Sequence, residues 1–461
     1  MVAELKTFPS PSFDRLRPDE ASPRRERSNR ENHGLTPAII GGGYAGMAAA
    51  VTLAAQGIPV TVFESARQLG GRARGLMHNG TKLDNGQHIL LGCYRQTLKL
   101  IEEVGGNAGQ DFLRLPLQLT LHERFELKAP HLPAPLHLLA ALFSAKGLSV
   151  AERIQAARFM MSMRRIRFKL PRDINVLELL HNHRQSKELI RLLWEPICIS
   201  ALNTPAHKAS AQVLLNVLRD SLNGSFADSE MLLPRLDFSA LFPNRAAEYL
   251  VQHGGALRTS CGVEAIIPHG NEIELVTAQG AQRFSHVICA ASPAGAIRLL
   301  RTAPSLVTIA EQIEAIGYQP IYTVYLQYPE HVTLPQSMLG FDGCVAQWLF
   351  DKGRITGQRG LIAAVISAEG AYQELSHEQL AVKVMQELRE QLDIIDEPLW
   401  HQVIAEKRAT FSCAVNLFRP SHITPLPNLF LAGDFVAGDY PATLEGAVMS
   451  GIRAAKEIIS S

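Results

Sequence analysis

The 461-residue chain lacks a cysteine framework: its six cysteines, at 93, 198, 261, 289, 344 and 413, are scattered and form no Cys-x-x-Cys pair. That argues against a disulfide scaffold or a zinc site and fits a reducing compartment, with no metal expected. Charge of one sign is lacking too. Forty-five Lys and Arg against 44 Asp and Glu leave a net charge of +1, so nothing global points to nucleic acid. No uninterrupted apolar run reaches the roughly 18–20 residues of a membrane span, and no apolar segment follows Met1 as a secretory signal requires. A cytoplasmic protein is the expectation. What is present is a 46% apolar composition in a chain long enough for a large core and two or three domains. Residues 1–35, rich in Arg, Asp, Glu, Pro and Ser, cannot bury enough apolar surface to order themselves and read as a disordered tail.

The most informative stretch runs from Ala38 to Arg74, AIIGGGYAGMAAAVTLAAQGIPVTVFESARQLGGRAR. It reads as a short strand, a glycine turn, an Ala-rich helix ended by Gly57, and a second strand ending at Glu64. Gly41, Gly43 and Gly46 have the G-x-G-x-x-G spacing of a dinucleotide-binding turn: one glycine for the tight turn, one for close approach of a pyrophosphate, one for helix–strand packing. Tyr44 and Ala45 open the helix, whose N–H groups would face the pyrophosphate. Glu64, 18 positions after Gly46, is placed to accept hydrogen bonds from the adenosine ribose.

Farther along, Asn79-Gly80 reads as a hairpin turn, followed by the polar run Asp84-Asn85-Gly86-Gln87-His88. Helical patterns and prolines fill 107–240, with helices expected at Asn175–His183 and Lys187–Leu193 and Pro196 punctuating the chain after them. From Gly254 the period changes to 2, with strands expected at Cys261–Ile267, Glu272–Thr277 and Arg283–Ala290. Strand and helix alternate again over 300–412, and the chain closes with a strand into Ala432-Gly433-Asp434, then Tyr440-Pro441-Ala442-Thr443 and a helix from Leu444 to Ile459. Around 150–170, two apolar stripes fit one helix: Val150, Ile154, Ala157, Met161 and Phe159, Met163, Ile166, Leu170. Arg153, Arg158, Arg164, Arg165, Arg167 and Lys169 surround them, with Glu152 the only acid. Either this is a core helix with a solvated basic rim, or a surface docking on anionic lipid, its basic cluster interleaved with Phe159, Met160, Met161, Met163 and Phe168.

Gly70-Gly71-Arg72-Ala73, soon after the acidic residue, resembles the FAD-dependent amine oxidase and phytoene desaturase superfamily. The pieces LDNGQHILLGCY and QWLFD, in family order with the terminal A-G-D and PATLEGAVMSG, resemble hydroxysqualene dehydroxylases, also called squalene-associated FAD-dependent desaturases. The resemblance runs from about residue 36 onward. It implies an α/β fold: a Rossmann-like FAD-binding domain of the glutathione-reductase type (36–106, 241–299, 413–461) and a discontinuous α+β substrate domain (107–240, mainly helical, and 300–412). It implies FAD held by Gly41, Gly43, Tyr44, Ala45, Gly46, Glu64, Gly70, Gly71, Arg72, Val263, Gly433, Asp434, Ala442 and Thr443, with Arg72 facing the diphosphate and Val263 near the adenine. It implies a long isoprenoid alcohol, hydroxysqualene, as substrate and squalene as product, with an electron donor to reduce the flavin. His88 and Asp84 are the candidates for proton donation or polar positioning; Tyr440 and Arg408 are further polar candidates. A carotenoid desaturase on the same fold and a catalytically idle FAD-binding partner of squalene-forming proteins are the alternatives. Two positions depart from the pattern: Pro37, which requires a short first strand, and Phe435, where the resemblance leads one to expect tryptophan. Contact with an anionic membrane on the inner face of the cytoplasmic membrane is the expected route to so insoluble a substrate.

Overall fold

The computed structural model describes residues 34–222 and 224–461; the tail up to residue 33 lies outside the described residues. The first strand, Pro37–Ile40, is only four residues long and wholly buried, and Pro37 sits at its first position, where a missing N–H is tolerated. It lies at the centre of a parallel five-stranded sheet ordered Ala256–Arg258, Thr61–Phe63, Pro37–Ile40, His286–Cys289, Leu429–Leu431. Helix Tyr44–Ala54 is apolar on every side, and ten of its eleven residues are buried, as a helix covered on all faces must be. One face meets the sheet and another the C-terminal helix Leu444–Ser460. There the backbones nearly touch: a Cβ on Gly451 would lie 2.0 Å from the Ala45 carbonyl oxygen.

A second, seven-stranded sheet combines distant parts of the chain, in the order Trp400–Phe411, Tyr318–Gln327, Leu361–Ser367, Trp348–Asp351, Met338–Gly340, Gln118–Leu121, Phe125–Lys128. Helices between 136 and 222 share one apolar core with this sheet, Ala141, Leu142 and Phe159 in the same cluster as Leu119, Phe125 and Trp348. Among the described residues no helix is long and apolar enough to cross a membrane.

Several elements differ from the sequence-based expectation. Arg283–Ala290 is not one strand. It divides at Ser285 into Gly280–Phe284, in a three-stranded antiparallel sheet, and His286–Cys289, in the parallel sheet; strand periodicity alone does not reveal a change of sheet. Pro196 does not punctuate the helix near 190. The chain stays helical from Lys187 to Leu202 through a π turn at Ile190–Trp194, and the proline, which has no N–H to donate, falls in the first turn beyond it. Apart from these differences, strand Trp348–Asp351 runs into a short helix, Lys352–Thr356, capped by the Asp351 side chain accepting from Arg354 N at 3.0 Å.

The helix read at 150–170 spans Val150–Arg165 and starts with a capping box between Ser149 and Glu152. Its apolar residues are sorted differently from the lipid-facing expectation: Phe159, Met163 and Phe168 are 1%, 0% and 2% exposed, whereas Val150 and Met161 are 66% and 61% exposed. Phe159 packs edge-on against Trp194, ring centroids 4.9 Å apart. Phe159 and Met163 of the bulkier stripe are therefore core, while its Ile166 is exposed, as are Val150, Ile154 and Met161 of the other stripe.

Candidate active site

The glycine turn follows from local geometry. A Cβ on Gly41 would lie 2.5 Å from the Ala290 carbonyl oxygen, and one on Gly46 would lie 1.9 Å from that of Gly41; these two glycines let strand, turn and helix pack together. Gly43 is different. A Cβ there would meet nothing closer than the Gly71 Cα at 3.9 Å, so the space above it belongs to the cavity and is wide enough for a ligand to reach the backbone. No side chain caps the helix that starts at Tyr44, leaving its first N–H groups available to an anion.

The cavity, about 550 Å³, is lined by Gly41, Gly43, Tyr44, Ala45, Glu64, Gly70, Gly71 and Arg72 from the N-terminal segment, and by Val263, Gly433, Asp434, Ala442 and Thr443 from later ones. Gly46 lies behind the wall. Glu64 closes the turn: its Oε2 accepts from Gly42 N at 2.6 Å, and its Oε1 from Ala66 N at 2.8 Å. Val263 is 3% exposed, and Arg298 Nη2 donates to its carbonyl at 3.3 Å. Arg72 Nη2 donates to Asp434 Oδ1 at 2.5 Å and Nη1 to Ala409 O at 2.7 Å; although burial works against its charge, the Asp434 carboxylate holds the guanidinium above its ordinary pKa. Thr443 caps the C-terminal helix by accepting from Gly446 N at 3.1 Å, so a second helix N-terminus opens on the same cavity. Phe435 is 1% exposed and packs its ring over Gly433, where a Cβ would come within 2.5 Å of it.

The loop Asn85–His88 forms a further wall. Its hairpin, Gly75–His78 paired with Thr81–Asp84, turns at Asn79 and Gly80, both with positive φ. Asn85 N donates to Arg74 O at 2.8 Å, which returns the chain beside Arg72. His88 lines the cavity. Its Nδ1 lies 2.8 Å from the Gly86 carbonyl; a carbonyl only accepts, so Nδ1 carries the proton and Nε2 is the nitrogen that titrates. Burial lowers the His88 pKa, with the nearby Arg72 charge acting in the same direction and the Gly86 carbonyl opposing.

Asp84 does not reach the cavity. Strand alternation turns it inward, where its Oδ1 accepts from Phe238 N at 2.9 Å while Tyr325 Oη bonds the Asp84 backbone. Burial pushes its carboxyl up to about 6, partly opposed by Lys352. Its geometry is that of a pin between hairpin and core. Arg408 and Tyr440 are likewise absent from the wall.

Sequence reasoning missed the opposite wall. Ile199, Ala201, Ile321, Met338, Trp348 and Phe350 give it an apolar surface, and Trp348 Nε1 donates to Ser200 Oγ at 3.0 Å. It also missed Lys352. This lysine is 3% exposed, and its Nζ donates to Gln87 Oε1 at 3.1 Å behind the loop; burial lowers its pKa, opposed by Asp84. The QWLFD-K run contained both signals, but strand spacing alone does not say which residues meet a helix from 150 positions earlier.

The family model for flavin containing amine oxidoreductases matches residues 44–459. The chain belongs to this family. Its cofactor is FAD, and it is an FAD-dependent oxidoreductase. It is similar to named enzymes over nearly its full length. Hydroxysqualene dehydroxylase of Rhodopseudomonas palustris is 28% identical over 92% of this chain and 98% of its own. The Zymomonas mobilis enzyme of the same name is 26% identical over the same shares. The zeta-carotene desaturase of Zea mays is 24% identical over 98% of this chain and 88% of its own. Among solved structures, an oxidoreductase from Methanosarcina mazei superposes with a TM-score of 0.71 at 14% identity, covering 93% of this chain and all of that one. Cyclohexylamine oxidase of Brevibacterium oxydans gives 0.64 at 18%, covering 92% and 99%; both show a shared fold. The residues fit FAD: the open space over Gly43, two helix N-termini for negative charge, and the Glu64 carboxylate at the end of the second strand are what a dinucleotide with a diphosphate requires.

Proposed function

We propose that the protein is a hydroxysqualene dehydroxylase, reducing hydroxysqualene to squalene. The observation carrying this reading is the full-length similarity to enzymes of that name, supported by a cavity that combines the cofactor cradle with the apolar wall around Trp348. In the reaction the carbon–oxygen bond of the alcohol breaks, a hydride takes the place of the hydroxyl, a proton joins the departing oxygen to give water, and a two-electron donor restores the reduced flavin. Bound reduced flavin supplies the hydride. The chain's own residues do the rest. The apolar wall holds the isoprenoid and keeps water from the resonance-stabilised allylic cation. His88 serves the oxygen: with Nδ1–H fixed on Gly86 O, its protonated Nε2 is a donor of lowered pKa and hence a stronger acid than ordinary imidazolium. Asp84 and Lys352, through Phe238 and Gln87, hold the loop that carries His88.

The test is anaerobic incubation of the dithionite-reduced holoenzyme with hydroxysqualene, with products separated by gas chromatography. Squalene with matching reoxidation of the flavin is the expected result. Oxidation of a carotenoid polyene by the oxidised enzyme, with no squalene from the alcohol, supports the desaturase alternative. A flavin inert to both leaves the idle FAD-binding partner.

A further inference from the structure

Helices Leu136–Ser144 and Val150–Arg165 form a hairpin on the outside of the molecule, joined by a short loop. Arg153 ties the two together, donating from Nη1 to Phe143 O at 2.6 Å and from Nε to Leu148 O at 3.2 Å. Their inner faces bury Ala141, Leu142, Ala156, Phe159 and Met163. Their outer faces are apolar as well. Leu136, Leu139 and Phe143, spaced i, i+3, i+7, are 52%, 39% and 48% exposed, and Ile154 and Met161 on the second helix are 37% and 61% exposed. A water-facing helix surface normally carries charge there. The charge that accompanies it is of one sign: residues 153–172 contain seven Arg or Lys and no Asp or Glu, with Arg158 between Ile154 and Met161, and Arg165, Arg167, Lys169 and Arg172 at the end of the second helix and beyond, all exposed.

We propose that this hairpin docks the protein on an anionic lipid surface, its exposed leucines, Phe143, Ile154 and Met161 entering the acyl boundary and its basic residues meeting the headgroup phosphates. An apolar face bordered by a strong excess of positive charge, with the acid Glu152 taken up by Ser149 and Ser186, has the complementarity of such an interface. A second copy in a two-fold dimer would bring the same basic rim against itself, which repulsion opposes. The surface also lies close to the cavity. Phe159, on the inner side of the hairpin, packs on Trp194, and the helix that follows Trp194 supplies Ile199, Ser200 and Ala201 to the cavity wall.

The proposal is tested without substrate, so it stands or fails apart from the proposed reaction. Holoenzyme is sedimented with phosphatidylcholine vesicles, with or without phosphatidylglycerol. Binding to the anionic vesicles at low salt, declining as salt rises, is expected. Each basic residue at such a surface strengthens partition about fivefold, so R158Q/R165Q/K169Q should lower it by about a hundredfold. L139S/F143S/I154S should lower it by about tenfold or more while retaining the salt dependence. Both sets are surface positions, and circular dichroism melting checks that the variants remain folded. The proposal is overturned by a parent protein that does not sediment, by a folded variant of either kind that sediments like the parent, or by equal binding to neutral vesicles. It is also overturned if the parent is a dimer in solution that L139S/F143S/I154S converts to a monomer, because a second copy then covers the face.

Discussion

Gly43→Ala separates cofactor binding from folding. Gly43 has φ −78° and ψ −179°, a conformation any residue adopts, and an added Cβ would come no closer to the protein than 3.9 Å, at the Gly71 Cα. The flavin-free variant should therefore fold, and its melting temperature should equal or slightly exceed the parent's, since Ala for Gly at a compatible position stabilises by about 0.4–1 kcal/mol. The methyl group, however, would occupy the space through which a diphosphate reaches the first N–H groups of helix Tyr44–Ala54. Loss of one charge-assisted hydrogen bond costs about 1.5–3 kcal/mol, or roughly a ten- to hundredfold weaker Kd. Titration of flavin-stripped protein with FAD, followed by flavin fluorescence, reads the affinity; melting of the same preparations reads the fold. Gly46→Ala is the contrasting control, because its Cβ would lie 1.9 Å from Gly41 O and should prevent folding or lower the melting temperature sharply. Unchanged FAD affinity in folded Gly43→Ala would refute the placement of the diphosphate against this backbone, and a large loss of apo stability would refute the claim that the position is open.

Glu64→Ala should weaken FAD binding by about 1.5–3 kcal/mol and also lower apo melting, because Gly42 N and Ala66 N lose their acceptor; lowered melting with unchanged FAD affinity would mean the carboxylate serves the loop alone. If His88 is the proton donor, kcat/KM should fall as pH rises through a pKa that burial holds below 6.5, and His88→Gln should flatten that limb and reduce the rate by about a hundredfold or more. Asp84→Asn tests the pin. A carboxyl at about 6 in the fold and 3.8 unfolded binds more protons in the folded state, so stability is lost as pH rises from about 4 to 6, by roughly 3 kcal/mol at most. Chemical denaturation should show the advantage of the variant over the parent growing across that window, and a constant difference from pH 4 to 7.5 would contradict the raised carboxyl.

The cofactor cradle was legible because it is local. Three glycines, a helix and a terminal acid lie within 27 residues, and the backbone leaves them only one close-packed arrangement. The resemblance of the Asp434 segment extended that reading to the far end of the chain, which the parallel sheet brings alongside through Leu429–Leu431. The place of Asp84 was not legible because a polar run gives no account of strand alternation: of the two roles open to it, its bonds to Phe238 and Tyr325 are those of positioning, while the loop that starts at Asn85 faces the cavity. The two stripes of helix Val150–Arg165 were equally apolar in sequence, and only Trp194, brought in by a π turn that no sequence pattern announced, decides that Phe159 and Met163 are inside. Lys352 and the Trp348–Ser200 pair depend on contacts between segments more than 140 residues apart, which periodicity does not encode.

The central claim, hydride delivery to an isoprenoid alcohol in this cavity, is tested most directly by one anaerobic turnover in deuterium oxide. Enzyme photoreduced in that solvent carries exchangeable deuterium on its flavin and is mixed with hydroxysqualene. Flavin reoxidation is followed by absorbance, and squalene is analysed by mass spectrometry. The account predicts one squalene per flavin, each carrying a single deuterium at the carbon that held the hydroxyl. Squalene without that deuterium, or a flavin that stays reduced in the presence of the alcohol, would contradict it.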